Sequence, residues 1–141
     1  MTTTRKILCG IYAAIAAVAL AATWAQNAAY FGQGAGFFKD FLLDLRVTPA
    51  SRSITADILL FLLAAVIFMV VEARKIGVPY VWAYVVGSVL IAISVTFPLF
   101  LIARERKLAG TDQPDPKPLE VIGLTVFAAF IAAQVVFVSK G

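Results

Sequence analysis

The sequence predicts an all-α membrane protein: four transmembrane helices in a bundle, with a short amphipathic interfacial helix between the first two. Composition is the first reason. Of 141 residues, 62% are hydrophobic and 14% charged, with mean hydropathy +0.94, whereas a soluble domain is about 45–50% apolar and about 25% charged. A soluble fold of this length cannot cover so much apolar surface, so the bilayer is its solvent. The second reason is four apolar runs of spanning length, near residues 7–25, 54–73, 80–103 and 119–138. The third is that basic residues sit at the ends of those runs, where they meet lipid headgroups. The length fits one transmembrane domain over residues 1–141.

Arg5 and Lys6 precede the first run, Ile7 to Trp24. A basic start, an apolar run and small residues at Ala19, Ala21 and Ala22 also describe a secretory signal; the run is read as a retained first helix. Ala13, Ala17 and Ala21 repeat every four residues and form a small-residue stripe that lets another helix approach closely. Gln26 to Gly36, with three glycines and the pair Tyr30–Phe31, reads as an interfacial loop. GFFKDFLLDLR, residues 36–46, gathers Phe37, Phe38, Phe41, Leu42 and Leu45 on one helical face, with Lys39, Asp40 and Asp44 on the other. At this length it cannot span, and it reads as an amphipathic helix in the interface or a folded-back cap.

Thr48-Pro49 is a helix start, threonine as N-cap and proline in the first turn. Glu72-Ala73-Arg74-Lys75 closes that helix. Ile76-Gly77-Val78-Pro79 predicts a tight turn in which glycine ends one helix and proline opens the next. Tyr80, Trp82 and Tyr84 follow as an aromatic belt. Gly87 and Ser88 suit a close helix contact, and Pro98 predicts a kink, because it cannot donate to the carbonyl of Ser94. Arg104, Glu105, Arg106 and Lys107 end the third span. The proline-rich stretch 109–118 is an extended linker, Pro118 and Glu120 open the last helix, and Lys140 marks its exit.

Four crossings place Arg5, Lys6, Arg74, Lys75 and Lys140 on the side of the termini, and Lys39, Arg46, Arg52, Arg104, Arg106, Lys107 and Lys117 opposite. Counted alone, five against seven runs against a cytoplasmic N-terminus. The basic start of the first helix and the short Arg74–Lys75 turn favour it, so both termini are expected in the cytoplasm.

The chain resembles a family of small bacterial membrane proteins, domain of unknown function 2834. The resemblance rests on Asp57 early in one span, Glu72-Ala73-Arg74-Lys75 with Gly77 and Pro79, Trp82, Gly87-Ser88, and Pro98-Leu99 followed by Arg104. It covers roughly residues 5–107, with the linker and last helix as an extension. The alanine-rich opening and the run ARKIGVPYVW resemble actinobacterial, in particular mycobacterial, members. The resemblance implies a multi-helix protein of the bacterial inner membrane and no activity.

With no histidine and only Cys9, the chain cannot form an intramolecular disulfide, a His-ligated haem site or a Ser–His or Cys–His nucleophile. We therefore expect no enzyme activity, no cofactor and no metal, and the sparse +4 charge does not suit nucleic acid. Asp57 is the residue to single out, since a carboxylate at mid-bilayer costs ~2.5–3.5 kcal/mol. It is either a proton- or ligand-responsive group or an acid near a helix start, answered by the helix dipole or by Arg52 or Arg46. Tyr84, Ser88 and Gln134 are candidates to share a polar seam with it. Arg74, Lys75, Arg104, Arg106 and Lys107 are candidate headgroup contacts or plain topology determinants.

Three functions follow as expectations. One is an accessory or scaffold subunit bound to a protein partner in a larger inner-membrane complex. Another is a small transporter or channel using Asp57, completed by homo-oligomerisation. The last is a binder of a lipid, quinone or carotenoid between aromatic-rich helices.

Overall fold

The computed structural model describes all residues, Met1–Gly141, and is helical throughout with no strand. Four stretches are long and apolar enough to cross a membrane: Thr3–Asp44, Pro49–Ile76, Val81–Lys107 and Pro118–Ser139. Large apolar side chains such as Leu60, Leu63, Ile67 and Phe130 stand exposed along them. Exposed surface of that kind calls for lipid, and the chain is a multi-pass membrane protein. It divides into two compact units, Met1–Ala109 and Gly110–Gly141.

In the first unit, α1 spans Thr3–Asn27, with the Thr2 hydroxyl accepting from the Arg5 amide at 3.3 Å. Residues Ala28–Gly36, expected as a loop, form a 3₁₀ segment interrupted at Gly34, whose φ of 54° needs glycine. Helix α2, Phe37–Asp44, follows. Aromatic contacts hold this end: Tyr30 meets Phe37 and Phe41 edge-on at 5.9 and 5.6 Å, and donates to Asp44 Oδ2 at 2.5 Å. Helix α3, Pro49–Ile76, starts as its capping residues predict: the Thr48 hydroxyl accepts from the Ser51 amide at 3.0 Å, and the Ser51 hydroxyl from the Thr48 amide at 3.1 Å. Gly77 ends it in the left-handed region (φ 78°), its amide on the Ala73 carbonyl at 2.8 Å. The next helix opens two residues beyond Pro79, after Tyr80, which is itself left-handed (φ 60°).

The third apolar stretch differs from its expected form. It is α4, Val81–Gly87, a π-type turn over Ser88–Ala92, and α5, Ile93–Lys107, with extended backbone at Ala92 (φ −179°, ψ 143°). The hydroxyls of Ser88 and Thr96 lie 2.7 Å apart, where a continuous helix would separate their residues by ~12 Å of rise. Tyr84 packs on Phe100 with ring centroids 5.7 Å apart. So α4 and α5 run antiparallel, as a hairpin. Against α3, the pairs Phe61–Phe97, Phe68–Phe100 and Glu72–Arg104 advance together, so α5 is parallel to α3. Against α1, Arg5 meets Glu105 while Trp24 meets Ile91, so those two are antiparallel.

The stretch expected as a single span over 80–103 is therefore broken at Ala92 and folds back on itself. The stretch enters and leaves at the same end of the unit, and Arg104–Lys107 lie beside Arg5 and Arg74 rather than opposite them. The kink foreseen at Pro98 is also displaced. Pro98 sits inside α5 near its start, and upstream the chain has already left the helix axis at Ala92. At 1.5 Å per residue α5 reaches ~22 Å, short of a ~30 Å hydrocarbon core. Met69 and Phe100, both fully buried, centre a core with Ala65, Ala73, Val78 and Ile93. It closes the hairpin onto α3.

In the second unit, α6, Pro118–Ser139, begins at Pro118, and Glu120 accepts from the Lys117 amide at 2.9 Å. Its apolar side chains are exposed nearly throughout.

Candidate functional site

Two polar constellations occupy the first unit. At the end where α1 begins and α3 and α5 finish, four charged side chains join. Arg5 pairs with Glu105, and their side chains are only 4% and 5% exposed. Arg104 Nε donates to Glu72 Oε1 at 2.9 Å and its Nη1 to Glu105 Oε1 at 3.2 Å. Two cations and two carboxylates thus tie three helices together and cancel. Burial of each charge is tolerable because an opposite charge lies in contact.

At the hairpin tip, the break in α4–α5 frees backbone carbonyls inside the membrane, where each needs a partner. The Trp24 indole donates to the Ile91 carbonyl at 3.1 Å, and Ser88 Oγ to the Tyr84 carbonyl at 2.7 Å. With the Ser88 proton so directed, the single proton of Thr96 is divided between Ser88 Oγ and the Ala92 carbonyl, 3.2 Å away. Gly87 is required here: a Cβ at that position would lie 2.9 Å from Thr96 Cγ2.

Of the residues singled out in the sequence, the structure places Ser88 at the tip, bonded to the Tyr84 backbone carbonyl, while the Tyr84 ring packs on Phe100. Asp57 belongs to neither constellation. It is exposed on α3, and no hydrogen bond or ion pair holds it; Arg52 donates instead to the Arg46 carbonyl at 2.9 Å. Gln134 lies exposed on α6 in the second unit. Arg74, Lys75, Arg106 and Lys107 are exposed at helix ends, whereas Arg104 is engaged by two carboxylates. Beyond the tip, Trp24, Phe31, Gly34, Ala35, Phe37 and Phe38 line an open apolar hollow of about 430 Å³. Sequence reading did not foresee the Arg5–Glu105 pair or the role of Trp24. The pair joins residues 100 positions apart, and no local pattern announces it.

Measured along α3 from Glu72, Asp57 lies ~22 Å up the axis. If Glu72 marks one boundary of a ~30 Å core, the carboxylate stands ~8 Å inside the other.

The family match falls within the first unit. The family model described as "Protein of unknown function DUF2834" matches residues 11–106. No curated protein and no solved structure matches the chain.

Proposed function

The chain belongs to the family of proteins of unknown function DUF2834, and on that premise we propose that it is a non-enzymatic accessory subunit of a larger complex in the bacterial inner membrane. Asp57 carries this reading. The buried charges of the first unit are paired with one another, but this carboxylate is exposed on α3 without a partner. Left in lipid it carries a cost below the ~2.5–3.5 kcal/mol of a carboxylate at the helix centre. A neighbouring membrane protein that covers Asp57 with a cation or a hydrogen-bond donor removes that cost, and exposed Ile54, Leu60 and Phe61 supply apolar contact around it.

Purification in mild detergent or native nanodiscs, from cells expressing the chain at its natural level, is expected to recover a stoichiometric partner. Asp57→Leu is expected to release that partner while the helical content stays unchanged. Recovery of only the free chain from both preparations refutes the subunit reading.

The same observation supports a second reading, in which copies of this chain cover one another and Asp57 faces a shared polar path. Recovery of self-assembled copies only, with proton flux in proteoliposomes that falls in Asp57→Asn, selects it over the first.

Orientation follows from charge. Seven cations of the first unit, Arg5, Lys6, Arg74, Lys75, Arg104, Arg106 and Lys107, stand at one end, and three, Lys39, Arg46 and Arg52, at the other. By the excess of Lys and Arg on cytoplasmic segments, the N-terminal end of this unit faces the cytoplasm.

A further inference from the structure

We infer that the N-terminal end of the first unit is a docking surface for the headgroups of anionic lipids, assembled by the hairpin. The doubling back of α4–α5 puts the end of α5 beside the end of α3 and the start of α1. Lys6, Arg74, Lys75, Arg106 and Lys107 therefore share one end of the unit, all exposed and none in an ion pair.

The carboxylates at that end are Glu72 and Glu105, and Arg104 and Arg5 already neutralise them. Five positive charges remain unanswered. At the opposite end Lys39, Arg46 and Arg52 stand with Asp40 and Asp44, a net charge of one. The field is one-sided, and it sits where the helices leave the membrane, level with lipid phosphates. The fit is to a headgroup bearing a net negative charge rather than to a zwitterion, whose own ammonium would repel the cluster. Arg104 is excluded from the contact set by its two carboxylates, and Lys6 enters it.

Each cation near an anionic membrane surface contributes roughly a fivefold preference, so the cluster acting together exceeds tenfold. Screening is strong for exposed charges, with a Debye length of ~10 Å at 0.1 M salt, so the preference must weaken as salt rises.

The full chain in nanodiscs of equal phosphatidylglycerol and phosphatidylcholine, released and weighed by native mass spectrometry, tests this. We expect more than tenfold enrichment of retained phosphatidylglycerol, which declines between 0.05 and 0.5 M salt by the screening above. Arg74→Gln/Lys75→Gln/Arg106→Gln/Lys107→Gln is expected to abolish the enrichment with unchanged circular dichroism. Lys39→Gln/Arg46→Gln is expected to leave it intact. Should the fourfold variant fail to fold, Arg106→Gln/Lys107→Gln alone is expected to lower the enrichment severalfold. Equal retention of the two lipids, enrichment that survives these substitutions, or an acidic protein found covering the five cations in place of lipid would overturn the assignment.

Discussion

Gly87→Ala separates the hairpin from a straight third helix by the sign of its effect. In a continuous helix residues 87 and 96 lie ~13 Å apart along the axis, and replacing a mid-helix glycine by alanine stabilises by ~0.5–1 kcal/mol. In the observed fold the new Cβ sits 2.9 Å from Thr96 Cγ2, well inside the ~3.5–4.0 Å optimum for two carbons. Thr96 cannot swing aside at little cost. It is β-branched and stiff at χ1, and its hydroxyl is held between Ser88 and the Ala92 carbonyl. Overpacking of this kind costs ~1–3 kcal/mol, so after the helix-propensity gain Gly87→Ala should give a net destabilisation of up to ~2.5 kcal/mol. Thr96→Ser removes the clashing methyl and keeps the hydroxyl, so the double variant should recover most of the loss. The assay is reversible unfolding in mixed micelles, titrated with sodium dodecyl sulfate and followed by tryptophan fluorescence. A stabilised Gly87→Ala protein, or a double variant no better than the sum of its parts, refutes the hairpin contact.

Two further outcomes follow from the same architecture. In the ion network, Glu105→Leu should cost ~3–5 kcal/mol, because Arg5 is left buried without a counter-charge, and Arg5→Met should cost less, because Arg104 still answers Glu105. The Arg5→Met/Glu105→Leu pair should cost less than Glu105→Leu alone, and strict additivity in a double-mutant cycle would exclude a buried pair. For topology, single cysteines in a Cys9→Ser background should react with a membrane-impermeant maleimide from the same side at Lys75→Cys and Lys107→Cys, and from the other side at Lys39→Cys. Labelling of positions 75 and 107 from opposite sides would require a straight crossing.

The features legible in the sequence are those decided by neighbours in the chain. Thr48-Pro49 and Pro118-Glu120 start helices because cap and first-turn chemistry is local, and Gly77 ends one because only a few residues need agree. The membrane class was equally legible, since it is a property of composition. The hairpin was not, because a largely apolar stretch of 27 residues has the same length and hydropathy whether it crosses the bilayer or turns within it. Signs of it are present as Gly87-Ser88 and Thr96, small or hydroxyl-bearing side chains eight or nine positions apart, but the same residues suit an ordinary helix contact. Proline at 98 drew the expected irregularity towards itself. The break instead falls at Ala92, where Trp24, 67 positions from its partner Ile91, can answer a freed carbonyl. Asp57 was identifiable as a carboxylate out of place, yet its lack of a partner emerges only once Arg52 is seen to donate to the Arg46 backbone carbonyl instead.

The hairpin also removes a conflict in the charge pattern. With four straight crossings the basic residues divide five against seven, the larger number opposite the N-terminus, and the first helix and the Arg74–Lys75 turn argue against the rest of the chain. Folding α5 back moves Arg104, Arg106 and Lys107 to the N-terminal end, and within the first unit the division becomes seven against three. Helix packing and insertion energetics are separate constraints: one is set by contacts such as Phe68–Phe100 and Glu72–Arg104, the other by where Lys and Arg meet the membrane surface. A straight span satisfies neither the cross-hairpin hydrogen bond of Ser88 with Thr96 nor a consistent bias of charge, while the re-entrant path satisfies both. Their agreement places both ends of residues 81–107 at one end of the first unit, with the carboxylate on α3 outside the set of paired groups.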